Sequence, residues 1–175
     1  MSEHSPKRLI IMRHAKSDWP AGVADFDRPL LPRGHGEAAL AGTWLRKHDL
    51  VPDVILCSSA TRTQQTCAGV LSELGDDAPE AELHDALYAA SPLRMLAVIN
   101  HAPDSAGCVL VIAHMPGVQE LVDHLASADS DDDALDEATS RYPTSAFTVL
   151  EPLKPWAELD GQDARVMQFV VPRAR

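Results

Sequence analysis

The chain has 175 residues, of which 45% are hydrophobic and 5% aromatic, and this composition predicts one globular domain over residues 1–175. Its net charge of −11, from 26 acidic and 15 basic residues, argues against nucleic acid or an anionic membrane as a partner, since both repel an acidic protein. No apolar stretch approaches the length that a membrane-spanning helix needs.

The first predicted element is a buried strand, an apolar run over Leu9 to Met12 that ends in Arg13 and His14. Open α/β sheets bind ligands just beyond the carboxyl ends of their strands, so these two side chains could hold a phosphoryl group and attack it. A surface Arg-His pair after an ordinary strand is the alternative interpretation. The long loop that follows, over residues 14–33, contains several prolines, and a loop of this length is usually functional.

The next elements alternate between helix and strand. A helix is predicted after Gly34, a strand over Val54 to Cys57, and a second helix from about Thr61 to Leu74. Gly75 is expected to cap this second helix in a left-handed conformation. The stretch from Glu82 to Leu87 could be a short strand or a loop.

The second half of the chain continues the same alternation. Pro92 opens a predicted helix, a strand follows over Val109 to Ala113, and another helix runs from Pro116 to about Ala126. Two late strands, Ala146 to Leu150 and Val166 to Val171, could pair antiparallel at one side of the sheet. This order predicts an α/β fold, a three-layer α/β/α sandwich with a mostly parallel central sheet.

Three of the predicted strands carry a cationic or imidazole residue at the carboxyl end or within the first turn beyond it. Arg13 and His14 follow the first strand, Arg62 lies shortly after the second, and His114 directly follows the strand that ends at Ala113. Parallel strands of one sheet bring these ends to a common edge. The convergence therefore indicates a phosphoryl-transfer site.

Other phosphate and metal sites fit the sequence poorly. The chain has no Gly-x-x-x-x-Gly-Lys-Ser/Thr and therefore no P-loop. Four residues separate Cys57 from Arg62, one fewer than in the cysteine phosphatase loop, so Cys57 is predicted to be a buried core residue. No pair of histidines has the His-x-x-x-His spacing of helical metal ligands, and no metal site is predicted.

The acidic stretch at Asp129 to Asp133 begins like a calcium loop. Counting from Asp129, the positions that require Gly and Glu hold Ala134 and Ser140, so the calcium motif fails. We expect a solvated acidic loop here, and the acidic segment as a whole, Asp129 to Glu137, has no predicted role.

The motifs in this order resemble the histidine phosphatase superfamily, which includes phosphoglycerate mutases and acid phosphatases. The resemblance rests on Arg13-His14, on Ser58-x-x-x-Arg62-x-x-Gln65-Thr66 and on the late strand followed by His114. Within the superfamily, the short SixA-type phosphohistidine phosphatases are similar in the run Arg13-His14-Ala15-Lys16-Ser17-x-Trp19, in Asp27-Arg28-Pro29-Leu30 and in Gly34. The match covers roughly residues 8–125 and implies a phosphoglycerate mutase-like fold.

The predicted catalytic residues are His14, His114, Arg13 and Arg62. His14 would be the nucleophile and would form a phosphohistidine intermediate; its ring must be neutral, with the other nitrogen held by a backbone carbonyl of the following loop. Arg13 and Arg62 would bind the nonbridging oxygens, and His114 would donate a hydrogen bond in its protonated form. The alternative for both histidines is a structural role.

Arg28 completes the predicted substrate-binding set of Arg13, Arg28, Arg62 and His114. The resemblance implies that Arg28 faces the phosphate, and a salt bridge to Asp25 or Asp27 is the alternative.

The sequence has no clear general acid, since Glu82 and Asp85 lie in no recognisable motif. An alkoxide leaves poorly without a proton, whereas the imidazole of phosphohistidine needs less help. The chain also lacks the long insertions with which larger relatives enclose a metabolite, so we expect an open cleft that suits phosphohistidine in a protein. A broad small-molecule phosphomonoesterase and a non-catalytic module that binds phosphorylated ligands are the alternatives.

Three cysteines without framework spacing indicate a reducing compartment. The polar start, Met1 to Arg8, does not have the pattern of a secretory signal, so we expect a cytoplasmic protein. No cofactor is predicted, the expected partner is a phosphorylated protein or a small phosphorylated substrate, and the oligomeric state is left open.

Overall fold

The computed structural model describes residues 5–173, and six strands in this range form one sheet. They are β1 (Arg8–Arg13), β2 (Val54–Ser58), β3 (Ala81–His84), β4 (Cys108–Ala113), β5 (Phe147–Pro152) and β6 (Ala164–Val170). Their order across the sheet is β3-β2-β4-β1-β5-β6. The first four in this order are parallel, β5 runs antiparallel to β1, and β6 antiparallel to β5. The predicted antiparallel pairing of the late strands is confirmed.

Five α-helices lie in the described range: α1 (Pro32–Lys47), α2 (Thr61–Leu74), α3 (Pro92–Ile99), α4 (Gly117–Leu125) and α5 (Asp132–Ser140). Short 3₁₀ turns occur at Asp25–Asp27, Asp85–Leu87 and Trp156–Glu158. Helix α1 begins at Pro32 and not after Gly34 as predicted. Proline is favoured there because the first helical position needs no N–H donor and the proline ring already holds a helical φ.

The sheet is buried on both faces, as the pattern within β1 illustrates. Leu9 and Ile11 pack with the apolar residues of α3 and α4, whereas Ile10 and Met12 pack with those of α1 and α2. Burying one such side chain contributes about 1.5–3 kcal/mol. The predicted three-layer α/β/α sandwich with a mostly parallel sheet is confirmed.

Helices α1 and α2 approach each other through glycine. A Cβ at Gly42 would lie far inside contact distance of the backbone oxygen of Val70, and a Cβ at Gly69 would lie 2.7 Å from Ala38 Cβ. The absence of side chains at these positions lets the two helix backbones pack closely. Because α2 carries Arg62 in its first turn, this packing also places a predicted site residue.

The acidic segment does not form the solvated loop that the sequence predicts. Asp131 is the N-cap of α5, and its carboxylate accepts a hydrogen bond from the backbone N–H of Ala134 at 2.9 Å. Asp132 and Asp133 occupy the first turn of α5, where negative charge offsets the positive end of the helix dipole. The prediction of a solvated loop is therefore wrong for Asp131 to Asp133, which begin α5.

Two smaller predictions also change. Gly75 has φ 86° and ψ −167°, so its φ is positive as predicted but its conformation is not left-handed helical. The ambiguous stretch from Glu82 to Leu87 contains most of β3 and then a 3₁₀ turn.

The prediction that Met1 to Arg8 is not a secretory signal concerns a segment whose first four residues lie outside the described range. No helix between residues 5 and 173 is long and apolar enough to cross a membrane.

Candidate active site

The histidines that the sequence singles out lie next to each other at one edge of the sheet. His14 follows β1 and His114 follows β4, and these strands are parallel neighbours. The backbone N–H of His14 donates to Ala113 O at 3.0 Å, which extends the pairing by one residue. The two imidazole centroids are 5.3 Å apart, and each residue is only 7% exposed.

The ring of His14 is oriented through its Nδ1 atom. This nitrogen lies 2.7 Å from Ala15 O, and because a carbonyl can only accept, Nδ1 carries the hydrogen and Nε2 has a free lone pair. Burial lowers the pKa of His14 to about 3, and the nearby Arg62 and Arg13 act in the same direction. The predicted backbone carbonyl from the following loop is confirmed.

The loop after His14 is held by the motif on α2. Thr66 Oγ1 accepts from the N–H of Ala15 at 2.9 Å, and Gln65 Oε1 accepts from the N–H of Leu30 at 2.8 Å. In the sequence, Gln65 and Thr66 are visible only as parts of a motif. The structure places them as the anchors of the loop that supplies the Ala15 carbonyl.

The ring of His114 is oriented by Ser58. Its Nε2 lies 2.8 Å from Ser58 Oγ, which also accepts a weak hydrogen bond from the N–H of Ala60 at 3.4 Å. When the hydroxyl donates to Nε2, the remaining hydrogen of a neutral His114 lies on Nδ1. In the sequence, Ser58 is visible only as part of the motif.

The surroundings of His114 determine its charge state in the free protein. Burial, followed by the positive charge of Arg62, lowers the pKa of His114 to about 4, so the ring is neutral at pH 7 in the free protein. The expectation that His114 donates in a protonated form concerns the complex with phosphate and stays a prediction. In the free protein, a neutral ring with its hydrogen on Nδ1 also offers a donor.

Three buried nitrogen atoms of the candidate site have no hydrogen-bond partner among the described residues: Arg13 Nε, Arg62 Nε and His114 Nδ1. Both guanidinium groups are held by hydrogen bonds from their terminal nitrogens. Arg13 donates to Tyr142 O at 2.8 Å, and Arg62 donates to Asp25 O at 2.7 Å. An unsatisfied buried donor costs about 1–3 kcal/mol, so this arrangement is typical of a site that binds an anion.

Arg28 lies beside this cluster, and each of the three nitrogens of its guanidinium group donates one hydrogen bond. It donates to Asp18 O at 2.9 Å, to Ser17 Oγ at 2.6 Å and to Asp25 Oδ1 at 3.0 Å. The indole ring of Trp19 stacks on the guanidinium, with Cζ of Arg28 3.3 Å from the ring centroid. The alternative interpretation, a salt bridge with Asp25, therefore describes the contact that Arg28 makes in this structure.

Asp25 is the residue that sequence reasoning underestimated. Besides Arg28, its carboxylate accepts from Arg62 at 3.2 Å and from the hydroxyl of Tyr88 at 2.5 Å. The ring of Tyr88 packs edge-on against His114, with centroids 5.5 Å apart. In the sequence, Asp25 stands out only as a neighbour of Arg28, because contacts to distant parts of the chain leave no trace in local spacing.

The two candidate acids lie apart from these contacts. Glu82 is exposed on the edge strand β3 and pairs with His84 at 3.4 Å. Asp85 is exposed at the start of a 3₁₀ turn. Within residues 5–173 neither side chain forms a hydrogen bond or ion pair with the histidines and arginines described above.

Cys57 lies in the core of β2 and is fully buried. A hydrogen bond with Cys67 and burial both raise the pKa of its thiol, so the thiolate is strongly disfavoured. The prediction that Cys57 is a core residue is confirmed. In the part of the chain that the structure describes, no group of three or more His, Cys, Asp or Glu side chains could hold a metal ion.

Comparisons with known proteins place the chain in a family. Residues 9–91 match the model of the histidine phosphatase superfamily (branch 1). An uncharacterised protein of Mycobacterium tuberculosis is 44% identical over 163 residues, which cover 93% of this chain and 100% of that protein.

Solved structures give the same assignment. A candidate phosphohistidine phosphatase SixA from Nakamurella multipartitia has a TM-score of 0.85 and 33% identity, with 97% of this chain and 98% of that one covered. A candidate SixA from Agrobacterium tumefaciens has a TM-score of 0.77 and 28% identity, with 96% and 99% covered. The chain therefore belongs to the histidine phosphatase superfamily, in its SixA-like branch, and is a histidine-nucleophile phosphatase.

Proposed function

We propose that this protein is a metal-independent phosphatase that removes phosphate from phosphohistidine in another protein, through a covalent intermediate on His14. The observation that carries the proposal is the pair of ring orientations. His14 has its Nδ1 tied to Ala15 O and its Nε2 unprotonated, while His114 presents Nδ1 within the same cluster.

In the first step, Nε2 of His14 attacks phosphorus in line, and a new P–N bond forms as the bond to the leaving group breaks. The positive charge that develops on the ring is stabilised by the hydrogen bond from Nδ1 to Ala15 O. The nucleophile is available at neutral pH because burial holds the pKa of His14 at about 3.

The charge on the transferring group is stabilised by the three unpartnered donors, Arg13 Nε, Arg62 Nε and His114 Nδ1. They are fixed before the substrate arrives, so they stabilise the transition state without reorganisation. Losing one such donor typically costs about 10²–10³-fold in rate. In the second step, water hydrolyses phosphorylated His14 and regenerates the enzyme.

The leaving group decides between phosphohistidine and ordinary phosphate esters. Among the described residues, the exposed side chains of Glu82 and Asp85 form no hydrogen bond or ion pair with the histidines and arginines of the cluster, so neither is set up as an acid for an alkoxide. General acid catalysis is typically worth about 10²–10⁴-fold, and an imidazole leaving group depends on it least. This favours P–N bonds over alkyl phosphate esters.

The test is a substrate comparison in EDTA. A phosphohistidine-containing protein, p-nitrophenyl phosphate and sugar phosphates are compared for the wild type and His14→Ala. We expect His14-dependent turnover that is fastest on phosphohistidine. Preference for sugar phosphates would move the substrate to small metabolites, and loss of turnover in EDTA would contradict metal independence.

A further inference from the structure

The carboxylate of Asp25 is held rigidly at the exposed side of the site. It accepts hydrogen bonds from Arg28, Arg62 and Tyr88, so its orientation is fixed from three directions. Its side chain is nevertheless 47% exposed, whereas those of Arg28 and Arg62 are 8% and 7% exposed. The uncommitted part of this carboxylate therefore faces solvent above the buried arginines.

Arg62 fixes how far this carboxylate lies from a bound phosphoryl group. Its terminal nitrogens bind Asp25, and its Nε is left for a phosphoryl oxygen. Asp25 Oδ2 lies 3.2 Å from Nη2 of Arg62, and a phosphoryl oxygen bound to Nε would lie about 2.9 Å from that nitrogen, so the two acceptors are within roughly 8 Å of each other. Asp25 is thus a neighbour of the reacting group.

In-line geometry places the leaving group on the same side as Asp25. His14 is 7% exposed and attacks from the base of the site, so the bond that breaks points outward. A carboxylate on that side repels additional negative charge on the leaving group. It attracts an N–H, especially one that carries positive charge.

We propose that Asp25 is a specificity-determining residue, whose carboxylate accepts the N–H of an imidazolium leaving group and disfavours leaving groups that carry negative charge. This inference rests on the proposed function and names the form of phosphohistidine that the site takes. That form is the phosphoimidazolium, with the phosphoryl group on one ring nitrogen and a proton on the other.

The reaction then needs no proton transfer in its first step. The lone pair of His14 Nε2 forms the new P–N bond, and the electron pair of the old P–N bond stays on the departing ring. That ring leaves as neutral imidazole, with its proton on the nitrogen that faced Asp25. The positive charge passes to His14, whose Nδ1–H is already bound to Ala15 O.

Asp25 cannot serve as the general acid that the sequence fails to identify, so its carboxylate can only accept a hydrogen bond from the leaving group. The hydrogen bond from Tyr88, followed by that from Arg28, holds the pKa of its carboxyl far below the usual range. The group is therefore ionised wherever the enzyme is folded and active. Its exposed oxygen surface is available to a donor on the substrate.

The test compares kcat/KM of the wild type, Asp25→Asn and Asp25→Glu on three substrates: a phosphohistidine peptide, phenyl phosphate and 3-phosphoglycerate. Asp27→Asn is the matched control, because it removes one charge from the same 3₁₀ turn at an exposed position. We expect Asp25→Asn to lose about tenfold or more on the peptide relative to phenyl phosphate, the effect of one hydrogen bond between charged groups. Activity on 3-phosphoglycerate should rise relative to phenyl phosphate.

Asp25→Glu, which keeps the charge, should retain more of the preference for the peptide than Asp25→Asn, and Asp27→Asn should leave all three ratios unchanged. An equal loss on all substrates in Asp25→Asn would overturn the inference, because Asp25 would then only position Arg28 and Arg62. A wild type that fails to hydrolyse the phosphohistidine peptide would overturn the proposed function itself. The two failures are therefore distinguishable.

Discussion

At the residue scale, the hydroxyl of Ser58 is the hydrogen-bond partner of His114 Nε2. It is fully buried and lies 2.8 Å from this nitrogen, and when it donates there, the hydrogen of the neutral ring lies on Nδ1. A ring with the opposite tautomer would present a lone pair to the substrate and repel it. We therefore expect Ser58 to be a positioning residue that acts through His114.

Replacing Ser58 with Ala should lower kcat by about tenfold to a hundredfold, less than the outright loss of one preorganised donor because His114 remains, and should change KM much less. The ¹⁵N shifts of His114 should show a mixture of tautomers in Ser58→Ala and one tautomer in the wild type. Ser59→Ala, at the neighbouring position, is the control. Unchanged ¹⁵N shifts in Ser58→Ala would contradict the role of the hydroxyl.

The site residues differ in how visible they are in the sequence. Arg13 ends β1, and His14 and His114 directly follow strands, so the apolar runs alone predict that the three residues meet at one sheet edge. Asp25 lies on a loop whose path is set by contacts with Arg62 and Tyr88, which are 37 and 63 residues away in the chain. Such contacts depend on tertiary packing and have no periodicity to detect.

Among the secondary-structure elements, helix α5 was missed although its start signal was present. An aspartate N-cap followed by two acidic residues is typical of a helix start, but the run at Asp129 to Asp133 was considered only as a loop. The element has few apolar residues, with Ala134 and Ala138 as its buried positions. Helices α2 and α3 bury larger apolar side chains, such as Leu74 and Ile99, and the sequence predicts Thr61 to Leu74 for α2 and a start at Pro92 for α3, as observed.

The packing of α1 on α2 gives a prediction with a built-in control. Gly42→Ala places a methyl group against the backbone of Val70 and should destabilise the fold by about 1–3 kcal/mol. Gly36→Ala lies in the same helix, where a Cβ would meet nothing within 4 Å, and should stabilise by about 0.5–1 kcal/mol. Urea unfolding of both variants provides the measurement. Equal effects of the two substitutions would show that the helices do not depend on this contact.

At the scale of the whole molecule, a protein with net charge −11 concentrates buried cationic and imidazole groups at one edge of its sheet. Burial there keeps both histidines neutral, which links the site to the stability of the fold. The folded-state pKa values of about 3 for His14 and about 4 for His114 lie below the ordinary value of 6.5. Between the folded-state pKa values and 6.5, the two histidines bind more protons in the unfolded chain than in the folded one.

The contribution of the two neutral histidines to the free energy of unfolding should therefore be fully present above pH 6.5 and should decrease as the pH falls toward 4. The variant His14→Asn/His114→Asn should show a flatter dependence between pH 6.5 and 5, above the range in which most carboxylates titrate. Urea unfolding across this range measures the difference. The same slope in the wild type and the double variant would mean that the two imidazoles are not held neutral in the folded state.

The most direct test of the account is to trap the covalent intermediate. The wild-type protein is mixed with phosphohistidine-containing protein in EDTA, quenched within milliseconds to seconds under alkaline conditions, and mapped by mass spectrometry. The account predicts phosphate on His14 alone, and none on the protein in His14→Ala. Continued turnover with no phosphate on His14, or phosphate on another residue, would contradict it.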